Sequence, residues 1–192
     1  KFVSFLKNAA FAAFFLRYNF AIKIYARYKY LTEKEIFMAL PKIGNLAPAF
    51  TLQNQSGEKV SLKDFKGKKS VVVYFYPKAL TPGCTLQACG IRDSEKALAD
   101  LDTVVLGLSP DPVPKLQKFI DKHDLNFDLL SDEDHAVAEK YGIWDLKKFM
   151  GREYMGIVRT TFIINKEGRL THIMNKFKTK THHDDLLDLL TN

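Results

Sequence analysis

The chain holds two cysteines, Cys84 and Cys89, both in the stretch LTPGCTLQACG at residues 80–90. Two thiols are too few for a disulfide-stapled scaffold or a four-cysteine zinc site. Reactive chemistry or a single internal bridge remains. Thr81 is a suitable helix N-cap and Pro82 a suitable first helical residue, which puts Cys84 at the third helical position. A sulfur there sits near backbone N–H groups that lack intrahelical partners and near the positive end of the helix dipole. Both effects favour thiolate over thiol, and the thiolate is the nucleophilic form. Gly83 lets a substrate or the backbone approach closely.

Cys89 follows five positions later. In an intact α-helix that offset is about 140° around the axis and about 7.5 Å along it, which separates the Cα atoms by about 8.7 Å. A disulfide needs less than about 7 Å. The two sulfurs cannot bond while the helix is regular, so a bond between them requires the first turns to unwind. Gly90 lowers helix stability there by about 1 kcal/mol relative to alanine. The competing reading makes both ordinary buried cysteines; it carries more weight for Cys89 than for Cys84.

The elements around this stretch alternate. Pro48 to Leu62 reads as a β-hairpin with Gln55, Ser56 and Gly57 as turn residues, followed by a short helical turn that Gly67 closes. SVVVYFYP, residues 70–77, is an unbroken β-branched and aromatic run typical of a strand buried on both faces, and Pro77 stops it. One helix is predicted from Pro82 to Leu101. A second buried strand covers Thr103 to Asp111, and a helix with proline in its first turn follows. FDLLSDEDHAVAEKYGI reads as a short strand and a helix, with Ser131 as N-cap and Asp132, Glu133 and Asp134 in the first turn. GIVRTTFIINKEGRLTHIMN reads as a strand, a turn at Lys166, Glu167 and Gly168, and an antiparallel partner. A last helix covers about His183 to Leu190. This order predicts an α/β chain with a mixed central sheet flanked by helices and an N-terminal β-hairpin. It fits a thioredoxin-like fold with a reactive cysteine at the start of the helix after the first buried strand.

The spacing Pro77-x-x-x-Thr81-x-x-Cys84 is similar to the active-site signature of peroxiredoxins. YFYPKALTPGCTLQACGIRD, LLSDEDH, FMGREYMGIVRTTFIIN and FKTKTHHDDLL resemble the bacterioferritin-comigratory-protein (PrxQ) branch. The resemblance runs from about Pro41 to the C-terminus and leaves out residues 1–37. It implies a thiol-dependent peroxidase of antioxidant function, acting on hydrogen peroxide and organic hydroperoxides. By that resemblance Cys84 is the peroxidatic cysteine, whose thiolate attacks peroxide and becomes a sulfenic acid. Cys89 is the resolving cysteine that condenses with it to an intramolecular disulfide, and thioredoxin or a similar dithiol reduces the bridge. Thr81 hydrogen-bonds thiolate and peroxide, and Pro77 shields the site. Arg159 supplies a fixed positive charge that stabilises the thiolate and orients the peroxide oxygens. Gln87 stands where this branch carries Glu or Gln and is a polar helper. The resemblance implies no metal or organic cofactor, a monomer, and a cytoplasmic location.

Two rival functions are a thioredoxin-type oxidoreductase and a copper-binding chaperone. The first usually carries Cys-x-x-Cys. The second suits soft thiolates but needs a third ligand and gives Pro77, Thr81 and Arg159 no role. Asp132, Glu133, Asp134 and His135 read as capping acids with a solvated histidine. Asp184 and Asp185, beside His182 and His183, serve a helix start. Trp144 reads as packing, and Lys176, Lys178 and Lys180 as a solvated edge.

The net charge of +7 points to nucleic acid or membrane only until it is located. Residues 1–37 carry seven Lys or Arg against Glu33 and Glu35, so the other 155 residues hold 22 basic and 20 acidic groups. That body has no strong electrostatic reason to seek phosphates, and neither nucleic acid nor a membrane is expected as its partner. Residues 1–37 also hold 11 of the 24 aromatic residues. Their longest apolar run, Ala9 to Leu16, is too short to span a bilayer, and their cations scatter around a helical wheel instead of gathering on one face. This leader reads as a weak membrane-associating or targeting segment, an extra helix on the body, or sequence upstream of a natural start at Met38. The last is favoured, which leaves 38–192 as the catalytic domain.

Overall fold

The computed structural model describes residues 40–149 and 151–191. The readings of residues 1–37 and of a start at Met38 lie outside the described residues. Among the described residues there are nine strands and five α-helices. The strands are β1 (Thr51–Asn54), β2 (Lys59–Ser61), β3 (Ser70–Phe75), β4 (Thr103–Ser109), β5 (Asp128–Ser131), β6 (Trp144–Phe149), β7 (Arg152–Ile157), β8 (Thr160–Ile164) and β9 (Leu170–Met174). The helices are α1 (Pro82–Asp93), α2 (Glu95–Asp100), α3 (Val113–His123), α4 (Ala136–Lys140) and α5 (His182–Thr191), and Leu62–Phe65 forms a 3-10 turn. Seven strands make one mixed sheet in the order β2-β1-β5-β4-β3-β8-β9, with β6 and β7 as a separate hairpin.

β3 lies near the middle, parallel to β4 and antiparallel to β8. Its side chains alternate as strand geometry requires. Val71, Val73 and Phe75 enter one core with Leu106, Leu108, Tyr141 and Phe162. Val72, Tyr74 and Tyr76 enter the other, with Cys84, Ala88 and Ile91 of α1, Leu98 of α2, Leu116 and Phe119 of α3, and Leu186 of α5. Gly107 faces Tyr74 across the ladder; a Cβ there would stand 2.7 Å from the Tyr74 ring and from Leu129.

Three expectations change. The helix predicted over 82–101 breaks at Ser94, whose φ of −97° and ψ of 2° leave the helical region. Its N–H closes α1 onto Gly90 and Ile91, while its carbonyl starts α2 by accepting from Leu98. Serine favours such end positions over helix interiors, and the bend returns Leu98 to the core that holds Ile91. The N-cap position of α4 is His135, not Ser131; the capping carboxylate comes from buried Asp132, which accepts from the Val137 and Ala138 N–H groups at 3.0 and 2.8 Å, while Ser131 belongs to β5 and bonds the Asp111 carbonyl. GIVRTT is not one strand. Gly156 and Ile157 end β7, Thr160 begins β8, and the bond from Val158 N–H to the Ile143 carbonyl lies between them.

α5 is pinned by His182, which is fully buried, with Nε2 2.9 Å from the Thr161 hydroxyl and its ring against Phe177. Burial first, then Arg159 and His183, lower its pKa from the usual 6.5 to about 4. Between those values the unfolded chain binds more protons than the folded one, so stability falls as pH drops from about 6.5 to about 4. The contribution is about 3 kcal/mol. The unfolding free energy of wild type minus that of His182→Phe is therefore expected to fall by about 3 kcal/mol between pH 7 and pH 4 in denaturant titrations. A difference independent of pH would refute it.

Candidate active site

β3 delivers the chain to the site. Beyond Phe75, Tyr76 keeps one ladder bond, from its N–H to the Leu108 carbonyl at 3.0 Å, and half-buried Pro77 opens the loop. Ala79 is buried, and its N–H donates to the Asp111 carboxylate at 2.6 Å. Leu80 has a φ of +65°. Thr81 is extended and occupies the N-cap position, but its hydroxyl donates to the Lys78 carbonyl at 2.9 Å and makes no cap bond. That bond engages the hydroxyl's single proton, so donating to a thiolate or peroxide requires releasing the Lys78 carbonyl. The helix then begins at Pro82 and holds Cys84 in its first turn, 2% exposed.

Arg159 reaches Cys84 because of sheet register. β8 runs antiparallel to β3, and Thr160 pairs with Phe75. Residue 159 therefore lies at the same end of the sheet's strands as the loop into α1. Its Nη2 donates to the Cys84 sulfur at 3.1 Å, and its Nη1 donates to Gln87 Oε1. Gln87, fully buried one turn after Cys84, holds the guanidinium from the other side, and its Nε2 has no partner among the described residues. A Cβ on Gly83 would stand 3.9 Å from Arg159 Nη2, an ordinary contact. Burial pushes the phenols of Tyr74 and Tyr76 well above their usual range, so both stay protonated beside the sulfur.

Cys89 is half-buried and lies in the same uninterrupted helix; both cysteines are free thiols. α5 backs this turn closely. A Cβ on Gly90 would stand 2.5 Å from His183 Nδ1, so the glycine also makes room for a neighbouring ring. At the far end of α1, Arg92 donates to the His123 carbonyl at 2.6 Å.

The structure therefore gathers Cys84, Gln87, Gly83 and Arg159, puts Pro77 and Thr81 in the adjoining loop, and keeps Cys89 apart along the helix. Two neighbours were not anticipated. Lys147, on β6, donates to the Ile157 carbonyl at 2.7 Å; burial, then Arg159, lower its pKa, while Cys84 opposes them. Asp111 ties down the loop from β4. Neither has a local signal; Gly151, at φ +78°, stands at the turn of the β6–β7 hairpin that carries Lys147. Elsewhere, His135 stacks on Trp144 at 3.8 Å, and Trp144 packs on the first core. Among the described residues no three His, Cys, Asp or Glu side chains gather as metal ligands would, and no helix is long and apolar enough to cross a membrane.

Residues 43–173 match the AhpC/TSA family. A relative from Haemophilus influenzae is 60% identical over 148 residues, 77% of this chain and 95% of its own length. Peroxiredoxin Bcp of Escherichia coli K12 is 52% identical over 149 residues, 78% of this chain and 95% of its own. Among solved structures, a Xanthomonas campestris Bacterioferritin Comigratory Protein, studied for its alkyl peroxide reduction activity, superposes with a TM-score of 0.70 at 30% identity, covering 74% of this chain and 90% of that one.

Proposed function

Because the chain belongs to the AhpC/TSA family, in its Bcp/PrxQ branch of peroxiredoxins, we propose that its thiol peroxidase reaction runs through Cys84 and Cys89. The protein is a thiol-dependent peroxidase. The observation that supports the assignment of Cys84 is the guanidinium of Arg159, 3.1 Å from a buried sulfur at a helix N-terminus.

The Cys84 thiolate attacks the terminal oxygen of the peroxide. The O–O bond breaks, the sulfur is oxidised to sulfenic acid, and water or an alcohol leaves after taking a proton. Arg159 lies where charge passes from sulfur to the departing oxygen, and its donors need little reorganisation. The Cys89 thiol then condenses with the sulfenic acid, forming the S–S bond and releasing water. The regular helix forbids that bond, so α1 unwinds at its N-terminal turns, drawing Cys84 out of its core. A dithiol of the thioredoxin type restores both thiols by exchange. An internal bridge needs no second subunit, which suits a monomer, and a reducing cytoplasm suits the cycle.

One equivalent of hydrogen peroxide added to reduced protein is expected to give a Cys84–Cys89 disulfide by peptide mass mapping. Cys89→Ser is expected to consume the first equivalent at the wild-type rate and stop at a Cys84 sulfenic acid that dimedone traps. Thiols unchanged after minutes would sink the reading.

A further inference from the structure

Asp111 stands just past the end of β4, 6% exposed. Its Oδ2 accepts from the Ala79 N–H at 2.6 Å and from the Ser109 hydroxyl at 3.1 Å, and its Oδ1 accepts from Lys115 Nζ at 2.5 Å. Its backbone is tied as well: its N–H reaches Ser109 Oγ at 3.3 Å, and its carbonyl accepts the Ser131 hydroxyl at 2.7 Å. Taking a carboxylate out of water is costly unless its oxygens are satisfied. Here they are, and one donor is the backbone of the loop that leads to Cys84.

The next residue shows what that tie holds. Leu80 has a φ of +65°, a left-handed conformation that strains a side chain of this kind and persists only where surroundings enforce it. Packing of the leucine does not enforce it, since the side chain is 37% exposed. The constraints lie on either side: Ala79 N–H on Asp111, and the Thr81 hydroxyl on the Lys78 carbonyl. We infer that Asp111 is the positioning residue of the peroxidatic loop. Its carboxylate holds Ala79 and Leu80 in the turn that starts α1 where Cys84 meets Arg159. This rests on the reading of Cys84 as nucleophile.

A displacement of about 1 Å at a reacting centre costs about a hundredfold in rate. Asp111→Ala is accordingly expected to slow the oxidation of Cys84 by hydrogen peroxide about a hundredfold. Asp111→Asn keeps an acceptor for Ala79 and should stay within about fivefold of wild type, a neutral acceptor replacing a charged one. The distinctive readout is Leu80→Gly in the Asp111→Ala background. Glycine adopts the left-handed conformation freely, so this second change should recover at least about tenfold of the lost rate. A merely structural role for Asp111 would gain nothing from it.

Stopped-flow oxidation rates of the four proteins, with circular dichroism of each, make the test. Wild type that leaves Cys84 unoxidised overturns the nucleophile reading. Wild type that reacts while folded Asp111→Ala reacts equally fast overturns the positioning role alone, as does a Leu80→Gly change that restores nothing. If Asp111→Ala does not fold, the double variant is compared with Asp111→Asn. A rate within about tenfold supports the role, and a folded double variant about a hundredfold slower overturns it.

Discussion

Cys84→Ser is expected to abolish peroxide consumption, with a loss of at least about a thousandfold, because serine at neutral pH offers a hydroxyl where the reaction needs an anionic, polarisable nucleophile. The substitution removes one sulfur and keeps the shape, so the site should survive. Cys84 belongs to the same buried core as Ala88, Ile91, Tyr74 and Tyr76, and a serine hydroxyl can accept from Arg159 as the sulfur does. Melting temperature and circular dichroism should therefore remain close to wild type while consumption disappears and no Cys84–Cys89 bridge forms. Peroxide consumption that persists in folded Cys84→Ser would place the nucleophile elsewhere and remove the basis for every assignment around Arg159.

Arg159→Ala has the next largest expected effect. A preorganised donor aimed at developing charge contributes about a hundredfold to a thousandfold in rate. The guanidinium also serves two partners, Cys84 and Gln87. Its removal leaves the buried Gln87 oxygen unpaired, at about 1–3 kcal/mol of stability. The second-order rate of Cys84 oxidation should fall about a hundredfold or more. Arg159→Lys should restore only part, because an ammonium is one point donor where the guanidinium forks between two acceptors. Adding Gln87→Leu to Arg159→Ala separates the effects: it removes the orphaned acceptor, so stability should recover while the rate does not. Rate recovery with stability would mean that the arginine holds the fold and leaves the chemistry alone.

Much of the scaffold was legible because its signals are local. The apolar run at Ser70–Phe75 marks a doubly buried strand, and Thr81-Pro82 marks a helix start. Where local signals compete, the reading failed. Ser94 sits among good helix formers, yet the chain bends there, and after the bend Leu98 lies in the core that also holds Ile91. Ser131 and Asp132 are both residue types that cap helices; the fold keeps Ser131 in β5 and gives the α4 amides to the aspartate. The β6–β7 hairpin alternates weakly because Leu146, Tyr154 and Met155 stay exposed.

The thiols, their five-residue spacing and the helix entrance that makes them inequivalent are all written in the local sequence. These depend on residue type and on the geometry of a single helix. What surrounds Cys84 comes from the fold as a whole. Arg159 lies 75 positions away and arrives through the pairing of β8 with β3. Asp111 lies 32 positions from Ala79 and arrives through the parallel pairing of β4 with β3. His183 meets Gly90 because α5 packs on α1. The physical reason is the same in each case. Propensity and spacing act over one or two helical turns, whereas strand register and helix packing select which distant side chains share a site.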